Sequence, residues 1–170
     1  IAYNALQRVP GLEEITIPSS VTEAGNACLA GNSSLTTINY ASSCNIPEEF
    51  AQSCSNLTTL NITGNPKIIR PSALKNCNLL SINIPASVTS IADNPFSGNV
   101  NCTSITVDAN NTVYDSRDNC NAIIHTASNK LISCCINSTF PSTLTSLGYG
   151  CFSVSPKILD FTDQNSGLTT

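Results

Sequence analysis

One six-residue pattern recurs along the chain at a fixed step. Leu12-Glu13-Glu14-Ile15-Thr16-Ile17 returns as Leu35 through Tyr40, Leu57 through Ile62, Leu79 through Ile84 and Cys102 through Val107. The starts at 12, 35, 57, 79 and 102 lie 22 or 23 residues apart. Each copy reads apolar-x-x-apolar-x-apolar, and apolar positions two apart suit a short strand with one buried face. A period of this length marks a solenoid. No single unit can bury its own apolar face, so neighbours stack at strand spacing, roughly 4.8 Å, around one continuous core. Ile15, Ile38, Leu60, Ile82 and Ile105 are expected to form its spine.

Each strand leads into a second half of matching form. Ile84-Pro85-Ala86-Ser87-Val88-Thr89-Ser90-Ile91 runs on to Pro95-Phe96-Ser97-Gly98-Asn99, and Ile17-Pro18-Ser19-Ser20-Val21 runs on to Cys28-Leu29-Ala30-Gly31-Asn32. Proline right after a strand ends the ladder because it offers no N–H. The Ala-Leu or Pro-Phe pair is then expected to plug a bulky side chain into the core from a short helical turn. The fold expected is thus an α/β solenoid of short parallel strands and short helical turns, one domain over 1–170. Asn32, Cys54, Cys77 and Asn99 align in one column at the turn, where a small buried side chain can satisfy loop backbone groups. Stacked Cys54 and Cys77 lie near enough for a disulfide, although a pair of buried thiols is the reading preferred.

From Cys102 to Pro156 the step is broken. Asn110-Asn111-Thr112-Val113-Tyr114 opens an excursion spanning about 108–140. Ala122-Ile123-Ile124-His125-Thr126 and Lys130-Leu131-Ile132-Ser133-Cys134-Cys135 read as two strands joined around Ser128-Asn129, a hairpin projecting from the stack. The pattern resumes at Leu144-Thr145-Ser146-Leu147-Gly148 with Phe152 as plug, and Leu159 with Phe161 supplies a last strand. Both ends look open. Ile1 through Leu6 matches the second half of a repeat, and Leu159-Asp160-Phe161 a first half. The chain is then either cut from a longer array or completed between copies, head to tail.

Composition removes several function classes. Net charge is -4 with 11% charged residues, so no basic patch can neutralise phosphates and nucleic acid is not an expected partner. No apolar run approaches the roughly 18 residues of a membrane span. Asn, Ser and Thr exceed a third of the chain. Six Asn-x-Ser/Thr sequons (Asn32, Asn56, Asn61, Asn101, Asn110 and Asn137) are about what such a composition yields by chance. None of the nine cysteines forms a Cys-x-x-Cys pair, so their spacing supports neither zinc nor thioredoxin-like chemistry. No cofactor or metal is expected. Asp108, Asp115 and Asp118 crowd the excursion but do not match the calcium-loop spacing. The single histidine, His125, reads as a solvent-facing hairpin residue. A Cys–His couple would need Cys134 or Cys135 within reach of it, plus a third group to orient the ring.

Val88-Thr89-Ser90-Ile91, the Phe96 plug, Leu79-x-x-Ile82-x-Ile84 and the Asn-x-x-Tyr start of the insert resemble the BspA-like leucine-rich repeats, a family of surface proteins in anaerobic bacteria and parasitic protists. The resemblance covers essentially the whole chain. It departs at Ala24, which stands where Ile91 sits in its own copy. It departs again at Cys44-Asn45-Ile46-Pro47, where the Val-Thr-Ser-Ile stretch is missing. It implies a right-handed coil with a strand-lined concave face, an extracellular or cell-surface location and a role in adhesion or partner binding.

The outward-facing strand positions fit that role. Thr16, Asn39, Asn61, Asn83 and Thr106 make one column, and Glu14, Thr37, Thr59, Ser81 and Ser104 a second. These hydroxyls and amides form a nearly uncharged wall suited to a protein or glycan surface rather than to catalysis. The expected function is a non-enzymatic binding or adhesion module using Thr37, Asn39, Thr59, Asn61, Ser81, Asn83, Ser104 and Thr106. The alternative is a structural protein that assembles into filaments through its ends.

Overall fold

The computed structural model describes residues 1–154 and 156–157. In chain order its strands are β1 (Glu14–Ile17), β2 (Thr37–Tyr40), β3 (Thr59–Ile62), β4 (Ile68–Ile69), β5 (Ser81–Ile84) and β6 (Ser90–Ile91). These are followed by β7 (Ser104–Val107), β8 (Tyr114–Asp115), β9 (Ala122–His125), β10 (Lys130–Cys134) and β11 (Ser146–Leu147). The repeat positions form a wall of parallel strands. β1, β2 and β3 pair with Ile15 beside Ile38 beside Leu60, and β5 pairs with β7 with Ile82 beside Ile105. Between β3 and β5 the ladder is interrupted. The Leu80 N–H still reaches the Thr58 carbonyl at 3.2 Å, so the stacking stays in step. A second, narrower ladder runs along the flank, where Ile46 bridges Ile69 and β4 pairs with β6.

The core lies between wall and turns. Ile38, Tyr40, Phe50, Leu57, Ile69, Leu74, Leu79, Ile84 and Ile105 are all buried, and the spine positions Ile15 and Leu60 pack against them while partly exposed. At roughly 25 cal/mol per Å² of apolar surface, each such aliphatic side chain contributes about 1.5–3 kcal/mol. The phenol of Tyr40 reaches the Cys44 carbonyl at 3.0 Å, and its ring meets Phe50 edge-on at 5.6 Å.

The short helical turns expected after each strand are not there, so the α/β description does not hold. Among the described residues the only helical element is a 3-10 turn over Arg117–Asn119 in the insert. The reason lies in where the backbone N–H groups go. In the plug segment the Leu29, Ala51 and Leu74 N–H groups donate to the next coil, to the carbonyls of Phe50, Ala73 and Pro95 at 2.8–2.9 Å. The alternate N–H groups close four-residue turns, as Ala30 to the Ala27 carbonyl and Gln52 to the Glu49 carbonyl do at 3.1 Å. A helix would consume all of these donors internally and leave neighbouring coils unjoined. Alternation requires left-handed residues at two columns. They are Asn4, Ala27, Glu49, Ser72 and Asn94 (φ 53–56°), and Arg8, Gly31, Ser53, Asn76 and Gly98 (φ 53–79°). Non-glycine residues accept this at about 1–2 kcal/mol each, compensated by stacking.

The insert also departs from expectation. β9 and β10 form the antiparallel hairpin, flanked by β8 on one side and by parallel β11 on the other. It does not project. Ile123 and Cys135 face the main core, whereas Ala122, Ile124, Leu131 and Cys134 face a second cluster with Cys120, Leu144 and Cys151. A strand buried on both faces carries a continuous apolar run, and Ala122-Ile123-Ile124 is one. Asn111 and Tyr114 fasten the insert to the preceding coil. The Asn111 amide donates to the carbonyls of Pro85 and Val88 at 2.9 and 3.0 Å, and the Tyr114 hydroxyl accepts the Ile91 N–H at 2.8 Å. Phe152 packs against the second cluster; Leu159 and Phe161 lie outside the described residues.

Close coil contact makes glycine obligatory at Gly64. A Cβ on Gly64 would lie 1.9 Å from the Ser42 carbonyl oxygen, so Gly64→Ala must force two backbones apart. A loss of about 1–3 kcal/mol is expected in urea unfolding, with the circular-dichroism spectrum retained. Truncating a fully covered plug costs more. Phe50→Ala, which empties a site with no exposed surface, is expected to remove about 3–5 kcal/mol in the same measurement.

Candidate functional site

The turn column is a chain of hydrogen bonds between coils. The Asn32 amide donates to the Leu6 and Leu29 carbonyls at 2.8 and 2.6 Å and accepts the Val9 N–H at 2.7 Å. Asn99 repeats this, donating to Leu74 and Phe96 at 2.9 and 2.7 Å and accepting the Leu79 N–H at 2.9 Å. At the two intermediate coils a thiol takes over the inter-coil donation. Cys54 donates to the Leu29 carbonyl at 3.2 Å and Cys77 to the Ala51 carbonyl at 3.1 Å. Asn32 is 1% exposed, which makes its sequon a poor glycan acceptor. All nine cysteines are free thiols. Burial pushes the Cys28 and Cys54 thiols up to about 11, and those of Cys77 and Cys134 up to about 12. These four thiols are therefore protonated at physiological pH, and Cys54, Cys77 and Cys134 donate to backbone carbonyls.

Neither the histidine nor the aspartates assemble reactive chemistry. His125 is half-buried, its Nδ1 2.8 Å from the Ser128 Oγ and its ring edge-on to Tyr114. The hairpin register sets Cys134 opposite Ala122, three residues along β9 from His125, or about 10 Å. Asp108 holds its own turn by accepting the Asn110 N–H at 2.8 Å. Asp115 pairs with Arg117 at 2.6 Å and accepts the Thr126 hydroxyl at 2.8 Å. Burial raises the Asp115 carboxyl, and the Arg117 and Thr126 hydrogen bonds outweigh it, leaving the group below its ordinary value.

The outward wall positions come together in register. Thr37 lies beside Thr59 and Asn39 beside Asn61 across β2 and β3; Ser81 lies beside Ser104 and Asn83 beside Thr106 across β5 and β7. Their side chains are joined as well as aligned. Asn39 donates to the Glu14 carboxylate at 2.7 Å, and Asn61 to the Asn39 amide oxygen at 2.8 Å. Thr106 donates to the Asn83 amide oxygen at 3.0 Å. Each ladder holds its amides and hydroxyl in fixed orientations on the wall.

Two features escaped the sequence reading. Leu80 is 50% exposed on the residue just before β5, an apolar spot beside the interruption of the wall. A charged notch on the flank, lined by Glu23, Glu48, Lys67 and Arg70, is the other. Its signal was present in the missing stretch at Cys44-Asn45-Ile46-Pro47, which read only as an irregularity.

The profile of the BspA type leucine rich repeat region matches this chain over residues 1–106 and 45–169, in six copies. No curated protein matches it. Three solved structures resemble it. A leucine-rich repeat protein from Eubacterium ventriosum superposes with a TM-score of 0.60 at 20% identity, over 81% of this chain and 38% of that one. The pneumococcal vaccine antigen PcpA gives 0.58 at 19% identity, over 83% and 31%. A leucine-rich cell surface protein from Faecalibacterium prausnitzii gives 0.55 at 17%, over 86% and 53%. The chain thus spans between a third and about half of the length of these proteins, and at such identities the likeness is one of fold. With the repeat profile covering nearly every residue, the chain belongs to the BspA-type leucine-rich-repeat family.

Proposed function

We propose that this chain is a non-enzymatic binding module at the cell surface or in the extracellular space, recognising a protein or glycan through its strand wall. Leucine-rich-repeat surface proteins are generally binding or adhesion proteins, and two of the similar structures are a pneumococcal vaccine antigen and a leucine-rich cell surface protein. No described helix is long and apolar enough to cross a membrane. The observation that carries the reading is the hydrogen-bonded side-chain ladder of Glu14, Asn39 and Asn61, with a second, separate pair of Asn83 and Thr106 beyond the interruption of the wall. Solubility needs only polar atoms. A ladder presents them in fixed orientations, which lowers the entropy cost of docking a broad, flat partner. Thr37, Thr59, Ser81 and Ser104 extend the same surface by one column.

Replacing Asn39, Asn61 and Asn83 together with Lys adds three like charges to that wall without touching the core. Adhesion of protein-coated beads to target cells is expected to fall at least tenfold, with the circular-dichroism spectrum and urea midpoint close to the parent. Undiminished adhesion removes the wall from the account.

A second reading, end-to-end self-association, has one observation in its favour. β1 pairs only with β2 among the described residues, and Ile1, Leu6, Leu12 and Ile15 beside it are only partly covered. A second copy, or a preceding coil in a longer array, would cover them alike. Sedimentation velocity separates the readings: mass growing with concentration supports assembly, and a constant monomer excludes it.

A further inference from the structure

Two cysteines meet where the wall coils carry leucine. The first position of the repeat holds Leu35, Leu57 and Leu79, each fully buried, and then Cys102 in the fifth copy. When the chain returns from the insert, Cys135 arrives beside Cys102. The Ile136 N–H donates to the Cys102 carbonyl at 3.2 Å, and the Asn137 amide to the Thr103 carbonyl at 3.2 Å. The two backbones are thus one ladder step apart, roughly 4.8 Å. A disulfide closes over Cα separations of about 4.4–6.8 Å, a range that contains this step.

The side chains converge as well. Cys102 is 1% exposed and Cys135 not at all, both belong to the main core, and their sulfurs are in hydrogen-bond contact with each other. Carbonyls of Ser104 and Asn121 lie at 3.5 Å from Cys102 and 3.4 Å from Cys135. The other stacked thiols are engaged elsewhere. Cys54 and Cys77 donate to the Leu29 and Ala51 carbonyls at 3.2 and 3.1 Å, and linking them would break both inter-coil bonds. Cys134 lies in the second cluster and donates to the Cys151 carbonyl at 3.2 Å.

We propose that Cys102 and Cys135 form a disulfide that closes the segment 103–134 and locks the insert to the strand wall. The oxidant is a small-molecule disulfide such as oxidised glutathione. The Cys135 sulfur attacks it, a mixed disulfide forms, and one small thiol leaves with the Cys135 proton. The Cys102 sulfur then attacks the Cys135 sulfur, and the second small thiol leaves with the Cys102 proton. Cys135 is suited to the first step, because the bond from Cys102, aided by the Ser138 hydroxyl and the Asn137 and Ser138 N–H groups, outweighs burial and holds its thiol below the ordinary value. Both sulfurs are closed to solvent in the folded chain, so exchange occurs before the insert docks, and docking then seals the bond against reductants. Oxidants of this class belong to extracellular surroundings, so the role in the organism rests on the location proposed above, whereas the bond itself is tested without it.

The chain is unfolded in urea under reductant, refolded in a mixture of reduced and oxidised glutathione, and alkylated in urea after acid quenching. Intact mass is expected to show seven alkylated thiols, the nine of the chain less two, and peptide mapping to show Cys102 joined to Cys135. The urea midpoint of the oxidised protein is expected to lie about 1–2 M above that of the reduced protein. This difference should vanish in Cys135→Ala and persist in Cys54→Ala. Dithiothreitol should cleave the bond readily in urea and at least tenfold more slowly in buffer. Nine alkylated thiols, a Cys54–Cys77 or mixed set of linkages, or equal midpoints for the two forms overturn the proposal. Equal reduction rates in urea and in buffer overturn the sealed position of the bond. Mapping of the parent chain decides the pairing whether or not the alanine variants fold.

Discussion

Backbone hydrogen bonding from each coil to the next is the constraint from which the rest follows. It runs along the wall through β1, β2 and β3, along the flank through β4 and β6, and through the plug turns by alternate N–H groups. With several edges of every coil tied to the next, the inter-coil distance is set by peptide geometry rather than by side chains. Side chains must then fit that distance. Gly64 has no room for a Cβ against Ser42, and residues as unsuited to left-handed backbone as Ala27 and Glu49 adopt it.

The same spacing lets side chains form ladders. Inside, Asn32, Cys54, Cys77 and Asn99 each donate to a carbonyl of the preceding coil. Thiol and amide are interchangeable for that one bond. Only the amide also accepts an N–H, so the asparagine coils satisfy more backbone than the cysteine coils do. Outside, Asn39 and Asn61 link in the same sense on the solvent side of the wall. A repeat that solves its folding problem by stacking identical atoms thereby produces an ordered polar surface at no further cost in ordering.

Individuality enters where the period fails. One missing residue in the second coil breaks the regularity of the flank, where a notch is lined by Glu23, Glu48, Lys67 and Arg70. The long insert after β7 brings two strands that are buried on both faces and link the main core to a smaller one around Leu131 and Leu144. The regular coils supply rigidity, and the irregular ones supply features that distinguish this chain from another stack of the same repeats.

The sequence by itself determined the architecture. Its step of 22 or 23 residues, with apolar side chains two apart, admits only a stack in which Ile15, Ile38 and Leu60 share one core face, and the register places them side by side. The Asn and Cys column and the polar wall positions were legible for the same reason: periodicity maps directly onto columns. What a residue does between coils was not legible. Turn segments such as Ala27–Ala30 have helix-forming composition, yet their N–H groups are claimed by a neighbouring coil far away in sequence, and local propensity carries no information about that claim. A hairpin pattern carries no information about what covers it, and Ile123 and Ile124 are covered from opposite sides by cores that only the folded chain creates. The notch was hidden likewise. A deletion of one residue is visible in the alignment of copies, but the depth and charge of the space it leaves depend on Glu23, Lys67 and Arg70, which belong to the coils on either side.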